Sequence, residues 1–137
     1  IYQIARGYYF QGLSWQRFFT KESNEIYAAF DSCKLYVNKN LAIFAKMPPK
    51  VVALERANHY NLLGVAYTAR GDDAYALEEL EKALAIRITE LGTEDDRVAS
   101  VYFNIGNAYT NLHLYNKALD AYTKGIKIRK TLLGADN

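Results

Sequence analysis

Asn104, Asn107 and Asn111 stand at i, i+3 and i+7, so they share one face of any helix that carries them. A carboxamide both donates and accepts, and a row of them can pair with a peptide backbone whatever that peptide's sequence. Phe103 lies beside the row and offers an apolar contact. The same row also suits a helix side that meets only water, although asparagine is a poor helix former.

The elements that must position this row recur. Ala57, Tyr60, Gly64, Ala66, Tyr67, Ala76, Leu77, Arg87, Leu91 and Gly92 are matched 42 positions later by Ala99, Tyr102, Gly106, Ala108, Tyr109, Ala118, Leu119, Arg129, Leu133 and Gly134. A fixed period of this size indicates stacked supersecondary units, and function is then sought on a surface that the stack creates.

Helical spacing of apolar residues predicts a first helix over Ile1 to Gln11 ending at Gly12, then one or two helices over Ser14 to Met47. Ala5, Tyr8 and Gly12 stand to one another as Gly64, Tyr67 and Gly71 do, but 59 positions upstream, which suggests a diverged unit with an insertion. Residues 1–50 are therefore read as a diverged segment, and 51–137 as two repeats, about 57–98 and 99–137. Pro48 and Pro49 force a boundary. Four helices should follow: from near Val51 to Arg70, Asp73 to Leu91, about Asp95 to Asn111, and Tyr115 to Leu133. Gly71 supplies a left-handed stop and Asp72 a cap, while Thr93 and Asp96 have capping-box spacing. His113 takes the place of Gly71 in the second unit.

A glycine in mid-helix costs about 1 kcal/mol relative to alanine, so Gly64 and Gly106 require a compensating close approach of another helix. Ala76, Ala83 and Ala118 serve the same approach. Tyr60, Leu63, Tyr67 and Leu80, with Tyr102, Ile105, Tyr109 and Tyr122, are expected to fill the seam as core residues.

The arrangement of Tyr60, Leu63, Gly64, Tyr67, Ala76, Leu80 and Ala83 resembles the tetratricopeptide repeat signature. The 42-residue period and the segments KALAIRITELG and KGIKIRKTLLG are similar to the kinesin light chain type of repeat. The match covers Ala57 to Asn137 well, Ile1 to Gly12 weakly and Leu13 to Lys50 hardly at all. Gly125 departs from the signature's alanine, which should soften the last helix, and the proline usual after the second helix is absent. The resemblance implies an all-α, right-handed solenoid of helical hairpins. It also implies a concave groove, lined by the first helix of each pair, that holds an extended peptide or a partner's helix. The groove positions that it carries over are Asn58, Asn61, Leu62, Val65, Thr68 and Ala69 in one unit. In the next they are Ser100, Phe103, Asn104, Asn107, Thr110 and Asn111. Some members clamp a terminal carboxylate with lysine and arginine here; Phe103 stands where one such lysine would be, so no clamp is expected.

Other chemistry finds little support. His59 and His113 belong to different repeat positions and should serve singly, as polar or capping groups. Cys33 lies on an apolar helical face and reads as core; being alone, it forms no internal disulfide and suits a reducing compartment, so the cytoplasm is the expected place. Arg87 and Arg129, with Lys124, Lys127 and Lys130, are expected on a solvated face, diluted by Glu78, Glu79, Glu81 and Glu90. The net charge of +2 comes from 17 basic and 15 acidic residues without a block of one sign, which argues against nucleic acid and anionic membranes as partners. No metal, cofactor or catalytic group is expected. The chain reads as a piece of a longer protein and as an interaction scaffold; a regulatory domain beside a fused effector and a self-association module are the rival readings.

Overall fold

The computed structural model describes residues 23–134, which form α1 (Ser23–Phe44), α2 (Pro49–Arg70), α3 (Asp73–Leu91), α4 (Asp96–Asn111) and α5 (Tyr115–Leu133), with no strand among them. The expected helix over Ile1 to Gln11, and the start of the segment from Ser14, lie outside the described residues.

Local chemistry sets most boundaries. Pro49 opens α2, where its missing N–H is no loss, and Pro48 precedes it at φ −55° and ψ 124°. At the end of α2, Gly71 has φ 93°; its N–H reaches the Thr68 carbonyl at 3.1 Å, and the Asp72 N–H reaches that of Tyr67 at 2.9 Å. The same two bonds recur after α4. His113, at φ 60°, donates to Thr110 at 3.0 Å, and Leu114 donates to Tyr109 at 2.9 Å. The expected caps are corrected on two counts. The Asp72 carboxylate does not cap α3 but pairs with Arg70 Nε at 2.7 Å. Asp95, not Thr93, caps α4: its extended backbone aims Oδ1 at the Arg97 N–H, 2.8 Å away. The Arg97 guanidinium also grips this carboxylate, which holds Asp95 below the usual carboxylate range; the Arg97 backbone bond adds to the effect.

The turns at 71–72 and 112–114 are too short for anything but antiparallel hairpins, α2 with α3 and α4 with α5. Within each hairpin the glycine lets the second helix in. A Cβ on Gly64 would stand 2.6 Å from Leu80 Cγ, and one on Gly106 2.5 Å from Tyr122 Cε1. Between the hairpins, Ala76, Leu80 and Ala83 of α3 meet Val101, Ile105 and Ala108 of α4. Phe30, Cys33 and Val37 seat α1 on Leu62, Leu63 and Ala66 of α2. The backbones of the first helices α2 and α4 approach each other, whereas those of α3 and α5 stay farther apart. The stack therefore curves with α2 and α4 on its inner side.

Three expectations about the packing need refinement. Leu63, Leu80 and Ile105 are buried, but the tyrosines of the seam are only half-buried, because a phenol ring can pack while its hydroxyl stays wet. Helix α5 runs unbroken through Gly125, whose Cβ would lie 3.0 Å from the Phe103 ring; at the matching positions Ala83 goes with the smaller Asn61. Of the two roles expected for His59, polar or capping, it is not a cap. Its ring is buried, packs edge-on against Phe44 at 5.2 Å, and its Nδ1 contacts the Glu55 carbonyl at 2.7 Å. Cys33 is fully buried as expected, and burial pushes its thiol up to about 12, so it is unreactive as a nucleophile.

Burial lowers the His59 pKa below its ordinary 6.5, outweighing the opposing pull of Glu55. The unfolded chain then binds a proton that the folded chain refuses, so this group removes stability as pH falls below about 6.5 and changes nothing above it. Thermal melts from pH 7.5 to 5 should show this loss in the native chain and a flatter profile in His59→Gln, once each is referred to its own value at pH 7.5.

Candidate functional site

The inner face of α2 and α4 brings the asparagines together, and several bind one another. Asn104 Nδ2 donates to Asn61 Oδ1 at 2.9 Å, which ties α4 to α2. Asn111 Nδ2 donates to Asp73 Oδ1 at 3.0 Å, which ties the end of α4 to the start of α3. Asn107 is exposed, and its Oδ1 accepts a 2.6 Å hydrogen bond from the Tyr122 hydroxyl. That bond orients the amide, so the Asn107 amino group is the end left to the solvent. By the same reasoning the Asn61 amino group and Asn104 Oδ1 remain at the surface of their pair. Thr68 and Thr110 return their hydroxyls to the Gly64 and Gly106 carbonyls at 3.1 and 2.9 Å.

The other carried-over positions sit lower in the wall. Leu62 is buried against α1, Val65 is half-buried and Ala69 is exposed. Phe103 is half-buried over Gly125, with its ring 6.2 Å from that of Tyr122. Asn58 Oδ1 accepts a hydrogen bond from Arg87 Nη2 at 2.9 Å, and Arg87 Nη1 donates to the Arg97 carbonyl at 2.7 Å. Arg87 is thus not part of a solvated face: it is buried, 7% exposed, because α4 covers the end of α3. Its partner in the repeat, Arg129, is more open. It pairs with Asp96 at 2.9 Å, reaches Ser100 Oγ at 3.4 Å and lies 4.5 Å over the Phe103 ring.

Arg87, Asp73 and Tyr122 organise this face although helix-face reasoning does not single them out for it. A signal for the first is present: Asn58 with Arg87 and Ser100 with Arg129 are both 29 residues apart and occupy matching places in the two units. Among the described residues no three His, Cys, Asp or Glu side chains gather to hold a metal, and no helix is long and apolar enough to cross a membrane.

Residues 55–131, more than half of the chain, match the family model described as tetratricopeptide repeat. The chain belongs to the tetratricopeptide repeat family. No curated protein matches it. Tetratricopeptide repeats generally mediate protein–protein interaction, and their helical hairpins account for the paired helices described above.

Removing Arg87 would leave Asn58 and the Arg97 carbonyl facing a void. Arg87→Ala should cost about 2–4 kcal/mol in urea denaturation. Arg129→Ala, which loses a half-exposed ion pair, should cost no more than about 1 kcal/mol. Equal losses would mean that burial of the first arginine contributes nothing special.

Proposed function

We propose that this tetratricopeptide repeat chain is a cytoplasmic scaffold, with repeats of the kinesin light chain type, that holds an extended peptide or a helix of a partner protein along the inner face of α2 and α4. The observation that carries this reading is the clamped amide of Asn107. Tyr122 takes its oxygen, so the amino group is presented outward in a fixed orientation. With the Asn61 amino group and Asn104 Oδ1 nearby, the wall offers donor, acceptor and donor. A peptide backbone supplies the complements. Residues three apart on a helix lie about 5–6 Å from each other, close to the ~6.8 Å at which an extended chain repeats its polar groups on one side. Asn58 and Asn111 support this wall by fixing helix positions, and Val65, Thr68, Phe103 and Thr110 supply the contacts around it.

Peptides selected from a random display library on the native chain provide the ligands for a test. Asn107→Ala should weaken their binding about tenfold in calorimetry, as expected for the loss of one oriented hydrogen bond, with the helical circular-dichroism signal unchanged. Unaltered affinity in a folded Asn107→Ala, Asn104→Ala double variant would place the site elsewhere.

A second reading, self-association, is favoured by the outer side of α5. Leu119 and Ile126, 65% and 45% exposed, stand where Leu77 and Leu84 of α3 pack into the core shared with α4. Light scattering should show a mass that rises with concentration in the native chain and stays monomeric in Leu119→Glu. A native chain that is monomeric throughout removes this reading.

A further inference from the structure

One cavity plays no part in the groove. Its floor is Tyr102, Ile105 and Tyr109, on roughly the opposite side of α4 from Asn104, Asn107 and Asn111 at 3.6 residues per turn. Leu84 and Glu81 of α3 form one wall, and Lys117, Asp120 and Ala121 of α5 form the other; together they border an open cleft of about 510 Å³. That volume lies within the range of sites that take small ligands.

In the first unit the corresponding place is covered from α1, where the Phe30 ring lies 4.9 Å and the Lys34 ammonium 5.7 Å from the Tyr67 ring centre. Tyr67 matches Tyr109, and it carries the ring of Tyr75, stacked at 5.6 Å and 29°. In the second unit Lys117 stands where Tyr75 stands, with its ammonium 5.7 Å from the Tyr109 ring centre. Glu79 pairs with Lys82 at 3.1 Å, and Lys82 lies 5.4 Å over Tyr60. In the second unit Ala121 stands in place of Glu79; Lys124 pairs instead with Asp120 at 3.1 Å while still lying 5.9 Å from Tyr102. The second unit thus has a lysine for a ring and a methyl group for a carboxylate, and α3 brings Leu84 and Glu81 to this place but no aromatic ring.

We propose that this outer cavity takes an aromatic side chain, tyrosine or phenylalanine, from a partner protein, seated on Tyr109 as Tyr75 is seated on Tyr67. The apolar side chains of Leu84, Ile105 and Ala121 account for affinity. Preference for a ring over an aliphatic chain comes from stacking on Tyr109 and from the Lys117 and Lys124 ammonium groups, which attract the face of a π system. This site does not depend on the groove: it uses the other face of α4 and none of the asparagines.

N-acetyl-tyrosinamide serves as the probe, followed by methyl NMR of Leu84, Ile105 and Ala121. Saturable shifts are expected at these three positions, and N-acetyl-leucinamide should produce them at least fivefold more weakly. Lys117→Tyr, which copies the first unit, should abolish the shifts while the rest of the spectrum keeps its folded dispersion. If Lys117→Tyr does not fold, Ala121→Glu closes the cavity by the pairing seen at Glu79 and Lys82. No shifts up to the solubility of the probe, equal shifts with the leucine compound, or shifts that persist in a folded closed variant would each overturn the proposal.

Discussion

At Gly64 and Gly106 the two helices of each hairpin approach so closely that a methyl group would overlap Leu80 or Tyr122. Everything else in the stack follows from that approach. A glycine in mid-helix gives up about 1 kcal/mol of helix propensity, which the side chain lying over it offsets by its burial. With the hairpins closed this tightly, each first helix touches its own second helix on one side and the preceding helix on another. Only one strip of α2 and α4 is left for the inner face. That strip cannot be apolar without being sticky, and in α4 it is polar.

The polar groups on it are not idle. Asn61 with Asn104, Asn111 with Asp73, and Asn58 with Arg87 each join parts of different helices. Buried or half-buried polar groups need partners; Asn58 finds one within its own hairpin, whereas Asn61 and Asn104 find each other across the two units. The inner face therefore holds the hairpins together. In the function proposed above it is also the surface that a partner meets, through what the internal bonds leave over, one end of each amide. A free row of asparagines would present flexible amides of either orientation; a clamped row presents donors and acceptors in a set order.

The two units are alike in backbone and unlike in detail, and their differences compensate locally. Phe103 replaces the asparagine of the first unit, and Gly125 makes room for its ring. Tyr122 replaces Leu80, and its hydroxyl finds Asn107. Where a difference is not compensated, as at Lys117 and Ala121, a cavity remains.

The sequence by itself determines the helices from Pro49 onward, the turns at Gly71 and His113 and the closeness at the two glycines. These depend on period, on a prohibited or permitted φ, and on neighbours three or four residues away. The inner row of Asn104, Asn107 and Asn111 is legible for the same reason. Tertiary structure alone decides what those amides touch. It hides Arg87 and His59, moves the cap from Thr93 to Asp95, spends half of Asn61 and Asn104 on each other, and seats α1 on α2. Each of these turns on atoms brought together from distant parts of the chain, or on a backbone angle set by such packing. Periodicity states which face a residue occupies but not what comes to lie against it.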